Sequence, residues 1–261
     1  ATLDDTSLIL IDLSNGQSRM GGSILSQVLL QSGDQVPDLE TPANLINLVK
    51  VINSLRSQGK LLAYHDRSDG GLFCAVAEMC FAGQVGVALN LDLLVTEGDG
   101  ISDSRAEYGD AKNWAQQISA RREELTLKAL FNEELGAVIE ISNVDIDSVV
   151  GQFTQAGIAC RPIASKNTEQ TIRVIVDGSV CFADSRANLQ KRWSETSFNI
   201  QKLRDNPVCA QQEYDKILDV NNRGLFSELS FDVNDNVAAP YINAGARPKM
   251  AILREQGVNG Q

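Results

Sequence analysis

The residues best suited to chemistry are the run His65-Asp66-Arg67-Ser68-Asp69-Gly70-Gly71, which lies between an apolar stretch read as a strand (60–64) and one read as a helix (72–83). Two carboxylates, a hydroxyl and a glycine pair at a strand end feeding a helix suit phosphate and its divalent metal. Glycines admit close backbone approach, first-turn N–H groups face an anion, and an aspartate can hold Mg2+. The same residues also read as a capped turn, with Asp69 as helix cap, Gly70 and Gly71 as the turn and Asp66 solvated. A second glycine segment, Gly21-Gly22-Ser23 followed by Ser26 and Gln27, opens another helix and can cradle a second phosphate, or Ser23 can simply cap that helix. His65 is the only histidine, so there is no His-His metal pair; it is either a ligand or a positioning or packing residue. Glu133 and Glu134 are adjacent, and on a helix they would point about 100° apart and could not converge on one atom. Their reading is structural.

The elements that must position these residues alternate. A strand is expected at 7–13 and a helix at 22–31. A covering helix follows at 42–58, with Leu45, Leu48, Val49, Ile52 and Leu55 at helical spacing, Thr41 as cap, Pro42 in the first turn and Gly59 as stop. A strand follows at 86–91. The stretch from about 92 to 124 reads as a partly helical insertion anchored by Trp114 and Ile118. The second half reads as helix 125–135, strand 137–142, helix 146–156 and strand 158–163. Strands 171–176 and 179–182 are joined by Asp177-Gly178, the signal for a two-residue hairpin turn. A long helix at 185–204 stops at Asp205-Asn206-Pro207. The expected fold is α/β of the α+β type, a mixed sheet with antiparallel pairing covered by helices.

Composition narrows the classes. With 261 residues and 43% hydrophobic content the chain can bury a full core. A net charge of −11 argues against a nucleic-acid partner, which needs a basic stripe to neutralise phosphates. No apolar run reaches the ~20 residues that span a bilayer, so no membrane partner is expected. The five cysteines, Cys74, Cys80, Cys160, Cys181 and Cys209, are odd in number and scattered, which reads as reduced thiols and a cytoplasmic location. A start at Ala1 without Met suggests a piece of a longer protein.

The text around the glycine pair carries a resemblance. Residues 65–83 (HDRSDGGLFCAVAEMCFAG) resemble the C-terminal domain of the aminoimidazole ribonucleotide synthetase superfamily, most closely the second such domain of the large, single-chain phosphoribosylformylglycinamidine synthases. Three further blocks agree: 130–141 (LFNEELGAVIEI), 185–213 (SRANLQKRWSETSFNIQKLRDNPVCAQQE) and 231–261 (FDVNDNVAAPYINAGARPKMAILREQGVNGQ). The last resembles the joint to a glutaminase domain, with 249–253 as that domain's first strand. The resemblance implies a synthetase-like domain at 1–213 on a plan related to the ferredoxin-like fold, a linker at 214–246 and the start of a glutaminase domain at 247–261.

It also implies an ATP-dependent ligase that converts formylglycinamide ribonucleotide, with glutamine-derived ammonia, to the amidine. The cofactors implied are Mg2+ and ATP/ADP, and the partners are the preceding synthetase domains and the following glutaminase domain of the parent enzyme. Residue by residue, Asp66 matches a metal ligand and Ser68 a residue touching nucleotide phosphates. Asp69, Gly70 and Gly71 match the turn that continues the site, beside the Gly22 and Ser23 candidate. The remaining ligands of the metal belong to the preceding domain, and none of the five cysteines fits the glutaminase nucleophile that would supply ammonia, so the isolated chain is expected to be inactive. Two alternatives stay open: a structural half that holds an auxiliary ADP, and another member of the superfamily.

Overall fold

The computed structural model describes residues 5–32, 35–96, 111–222, 224–242, 245, 247 and 249–253, with 96 and 111–118 described by their backbone only. In chain order the elements are β1 (Thr6–Asp12), α1 (Ile24–Val28), α2 (Pro42–Ser57), β2 (Ala63–Asp66), α3 (Gly71–Gly83), β3 (Gly86–Asn90), α4 (Asp92–Thr96) and α5 (Ala111–Phe131). They continue as β4 (Gly136–Ser142), α6 (Ile146–Gln155), β5 (Ala159–Asn167), β6 (Thr171–Val176), β7 (Ser179–Ser185), α7 (Arg186–Arg204) and α8 (Pro207–Asp215). By its internal contacts the chain divides into Ala1–Val220 and Asn221–Gln261.

The first unit is built on one sheet in the order β2-β4-β1-β5-β3-β6-β7. All neighbours are antiparallel except β3 and β6, as expected of a mixed sheet. β1 explains why the sheet is covered on both sides. Its Leu8 and Leu10 join Leu72, Val76 and Cys80 of α3 in one core, whereas Ile9 and Ile11 join Leu48 and Leu55 of α2 and Val149 and Phe153 of α6 in the other. Side chains alternate across a strand, so a continuous apolar run can serve two layers at once. The Asp177-Gly178 turn joins β6 to β7 with φ of 53° and 68°, the doubly positive pair that a tight hairpin needs.

Several boundaries differ from the sequence expectation. The strand expected at 60–64 runs instead over Ala63–Asp66, because His65 and Asp66 pair with Val138 and Ala137 of β4. The helix expected at 22–31 is only Ile24–Val28, ended by Leu30 at φ 54°. Thr41 sits at the α2 cap position without capping through its side chain. The helix expected at 125–135 begins at Ala111, within the stretch expected to be partly helical, and ends at Phe131, so Glu133 and Glu134 lie beyond its end. Residues 97–110, and the side chains of Trp114 and Ile118, lie outside the described set. Asn206 not only follows α7 but caps α8, accepting from the N–H groups of Val208 and Cys209 at 2.9 and 3.2 Å. In the second unit, 249–253 forms no strand, and Met250, Ile252 and Leu253 are exposed.

Candidate functional site

The site begins where β2 lies on β4, at the open edge of the sheet. Alternation sends Tyr64 and Asp66 to one face and His65 to the other. On the first face Tyr64 Oη donates to Asp66 Oδ1 at 2.6 Å. Burial, and after it this bond, push the Tyr64 phenol above its ordinary value, so it remains a donor. The two residues border a cleft of about 290 Å³ walled by Leu45, Leu48, Val49 and Ile52 of α2. On the opposite face the ring nitrogens of His65 meet Glu78 Oε2 at 2.8 Å and the Asp66 carbonyl at 2.7 Å. Glu78 is itself held by the indole N–H of Trp193 at 2.9 Å. The geometry therefore separates His65 from the Asp66 carboxylate and engages both of its ring nitrogens within the fold.

Beyond Asp66 the chain turns on a buried arginine. Arg67 Nε donates to the Glu134 carbonyl at 2.6 Å, and its Nη2 donates to the Leu135 carbonyl at 3.1 Å and to Asp12 Oδ1 at 2.7 Å. Ser68 and Asp69 are exposed. Gly70, at φ 79°, is the N-cap of α3, and no side chain caps that helix through its own turn. The expected Asp69 cap is thus not formed. Instead Gly70 N–H donates to Glu133 Oε1 at 2.8 Å, and Gly71 N–H donates to the Ser68 carbonyl at 2.9 Å. Gly71 is required by packing, because a Cβ there would stand 2.7 Å from the Asn132 carbonyl oxygen.

The second glycine segment is engaged internally. Ser23, 1% exposed, accepts from the Ser26 N–H at 3.2 Å as the cap of α1, and Gly22 N–H donates to the Ser32 carbonyl at 3.1 Å. Ile24 N–H donates to Glu133 Oε1 at 2.8 Å, so one carboxylate oxygen joins the two glycine turns.

The segment between α5 and β4 is the hub: the structural reading of Glu133 and Glu134 holds, but nothing in the sequence pointed to their partners. Glu133 holds both glycine turns. Fully buried Glu134 takes the Arg19 backbone N–H at 2.9 Å and its Nε and Nη2 at 2.7 and 2.8 Å, while its carbonyl takes Arg67. The two glutamates diverge as expected, although from a loop rather than a helix. Asp12, which ends β1 and receives Arg67, was also missed. An acidic residue closing an apolar strand was its only signal.

Among the described residues no group of three or more His, Cys, Asp or Glu side chains can enclose a metal. Asp66, exposed and with one oxygen hydrogen-bonded to Tyr64, fits a single ligand of a metal shared with groups from elsewhere. Among the described residues, too, no helix is long and apolar enough to cross a membrane.

The fold is one mixed sheet covered on both faces, in which an exposed aspartate ends an edge strand that leads through a Gly-Gly turn into a covering helix. The family model described as AIR synthase related protein, C-terminal domain, matches residues 6–177, and the chain belongs to that family. The match takes in β1 to β6, while β7, α7 and α8 follow it. Among solved structures, the chain is similar to T. maritima PurL complexed with ATP, at 13% identity over 71% of this chain and 26% of that one, with a TM-score of 0.46. For T. maritima PurL complexed with FGAR the figures are 13% identity, 72% and 28% coverage and a TM-score of 0.48. For the E. coli hydrogenase maturation protein HypE they are 18%, 69%, 49% and 0.40. The chain spans about a quarter of the PurL chains it matches.

Proposed function

We propose that this chain supplies one wall of an Mg-nucleotide site in a glutamine-dependent, ATP-consuming carbon–nitrogen ligase that acts on formylglycinamide ribonucleotide. Family membership and the sequence blocks around the glycine pair support the reading. The observation that carries it is the exposure of Asp66, Ser68 and Asp69 in succession at the end of an edge strand whose other motif residues, His65, Arg67, Gly70 and Gly71, are all engaged internally. Asp66 is the proposed metal ligand. Ser68 and Asp69 face the phosphates, with the Gly70-Gly71 turn beneath them and Gly22 and Ser23 on the neighbouring turn. Further ligands come from preceding domains of the parent enzyme, and ammonia comes from its glutaminase domain.

When bound, the metal would neutralise phosphate charge. The work of this chain is positioning: Tyr64 orients the Asp66 carboxylate, and Arg67 anchors the loop beneath it. In the full-length native protein Asp66→Asn keeps the shape and removes a charge, so Mg-ATP binding should weaken by about 2–4 kcal/mol while the fold is retained. Titration calorimetry measures it. Unchanged affinity and stoichiometry would mean that Asp66 is only a solvated strand end.

A further inference from the structure

We infer that Glu133 is a positioning residue that couples the two glycine turns, and that the nucleotide affinity of the Asp66–Asp69 loop depends on it; the second half of this inference rests on the function proposed above. Glu133 Oε1 accepts from Gly70 N–H and from Ile24 N–H, both at 2.8 Å. The two nitrogens therefore lie no farther apart than twice that distance, although one opens α3 and the other α1.

Among the described residues, Glu133 makes the hydrogen bonds that join the two turns. The far end of the loop from Arg67 to Gly70 turns through Gly70 at φ 79° and packs Gly71 on the Asn132 backbone, and Gly70, having no side chain, makes no side-chain hydrogen bond toward α1. α1 is five residues long, too short to be stable on its own hydrogen bonds. Glu133, in contrast, is delivered by a rigid segment. Asn132 is buried and its backbone carbonyl abuts Gly71, and Glu134 is locked by the bidentate Arg19 pair. Charge-assisted hydrogen bonds to a fixed carboxylate are roughly twice as strong as neutral ones. The exposed side chains of Ser68 and Asp69 thus stand on a loop whose near end is pinned by Arg67 and whose far end is pinned by Glu133. A loop held at both ends loses less freedom on meeting a ligand, and affinity rises accordingly.

The test compares Glu133→Ala and Glu133→Gln in the full-length native protein, with Asp66→Asn alongside. In Glu133→Ala, amide exchange at Gly70 and Ile24 should accelerate together, while amides of β1 and β4 stay protected. Mg-ATP affinity should fall about tenfold, the loss of one hydrogen bond to a charged group. Glu133→Gln retains an oxygen that accepts both N–H groups, so it should stay within about threefold of wild type by both measures. In wild type, Mg-ATP should slow exchange at Ile24 as well as at Gly70. Exchange at the two amides that responds separately, or Glu133→Gln falling as far as Glu133→Ala, overturns the coupling. Mg-ATP binding lost in Asp66→Asn but kept in Glu133→Ala overturns this inference and leaves the functional reading standing. Wild-type protein that binds no Mg-ATP refutes both.

Discussion

Replacing Arg67 by alanine should remove about 3–5 kcal/mol of folding stability, although it adjoins an exposed aspartate whose conversion to asparagine should change stability by less than about 0.5 kcal/mol. The size follows from three contacts. The Arg67–Asp12 pair is 2.7 Å long, with side-chain exposures of 3% and 26%, so deleting the buried guanidinium leaves a partly exposed carboxylate without its cation. Asp12 keeps the Ser14 N–H and Oγ–H at 3.0 and 2.9 Å, which limits that part of the loss. The carbonyls of Glu134 and Leu135 lose donors at 2.6 and 3.1 Å, and a buried acceptor left unpaired costs about 1–3 kcal/mol. Water entering beside the partly exposed Asp12 offsets some of this. Arg67→Lys keeps a charge but not the fork that reaches three acceptors, so it should recover no more than about half of the loss. Urea unfolding followed by far-UV circular dichroism measures the difference, with an unchanged m-value as the sign that stability alone has moved. A loss below about 1 kcal/mol for Arg67→Ala, or equal losses for Arg67→Ala and Asp66→Asn, would refute the claim that burial rather than motif membership sets the cost.

The other predictions rest on separate features. Gly71→Ala should cost at least about 2 kcal/mol, because the new Cβ meets rigid backbone at Asn132 and Leu130 while φ is held at 67°; a melting temperature equal to wild type would contradict the close approach. Burial pushes the Cys80 thiol up to about 12 from its ordinary 9.0, so the fold favours the protonated form. Its contribution is complete below about pH 9 and is lost as the pH rises toward 12, and the stability advantage of wild type over Cys80→Ala should shrink across that window by up to ~4 kcal/mol. An advantage constant from pH 8 to about 11 would refute the shift. Iodoacetamide at neutral pH should modify Cys181 and Cys209, which are exposed, and spare Cys80, as peptide mass mapping would show; alkylation of Cys80 at a comparable rate would mean that its helix opens readily.

The sequence by itself determined the fold class, because periodicity is a local property. The apolar runs of β1 and β4, the helical spacing in α2 and the Asp177-Gly178 turn each require only neighbours along the chain. It also marked Asp66, Ser68 and Asp69, since a polar loop between a strand and a helix shows in residue types alone. It misjudged the ends of elements where a distant partner decides them. His65 and Asp66 became strand through pairing with β4, and Leu30 ended α1 in a left-handed conformation that no glycine announced.

Tertiary structure alone decided which motif residues face solvent and which hold the loop. His65 and Asp66 are adjacent in sequence but lie on opposite faces of a strand. Arg67 reads as one more charge in a polar run, yet its three acceptors come from β1 and from the segment before β4, far away in the chain. Glu133 reads as half of an acidic pair, yet it bridges two turns that no spacing connects. Local pattern records the intrinsic preferences of a segment. A hydrogen bond between segments distant in the chain exists only after the sheet has brought them together, so its partners leave no periodic trace in the sequence.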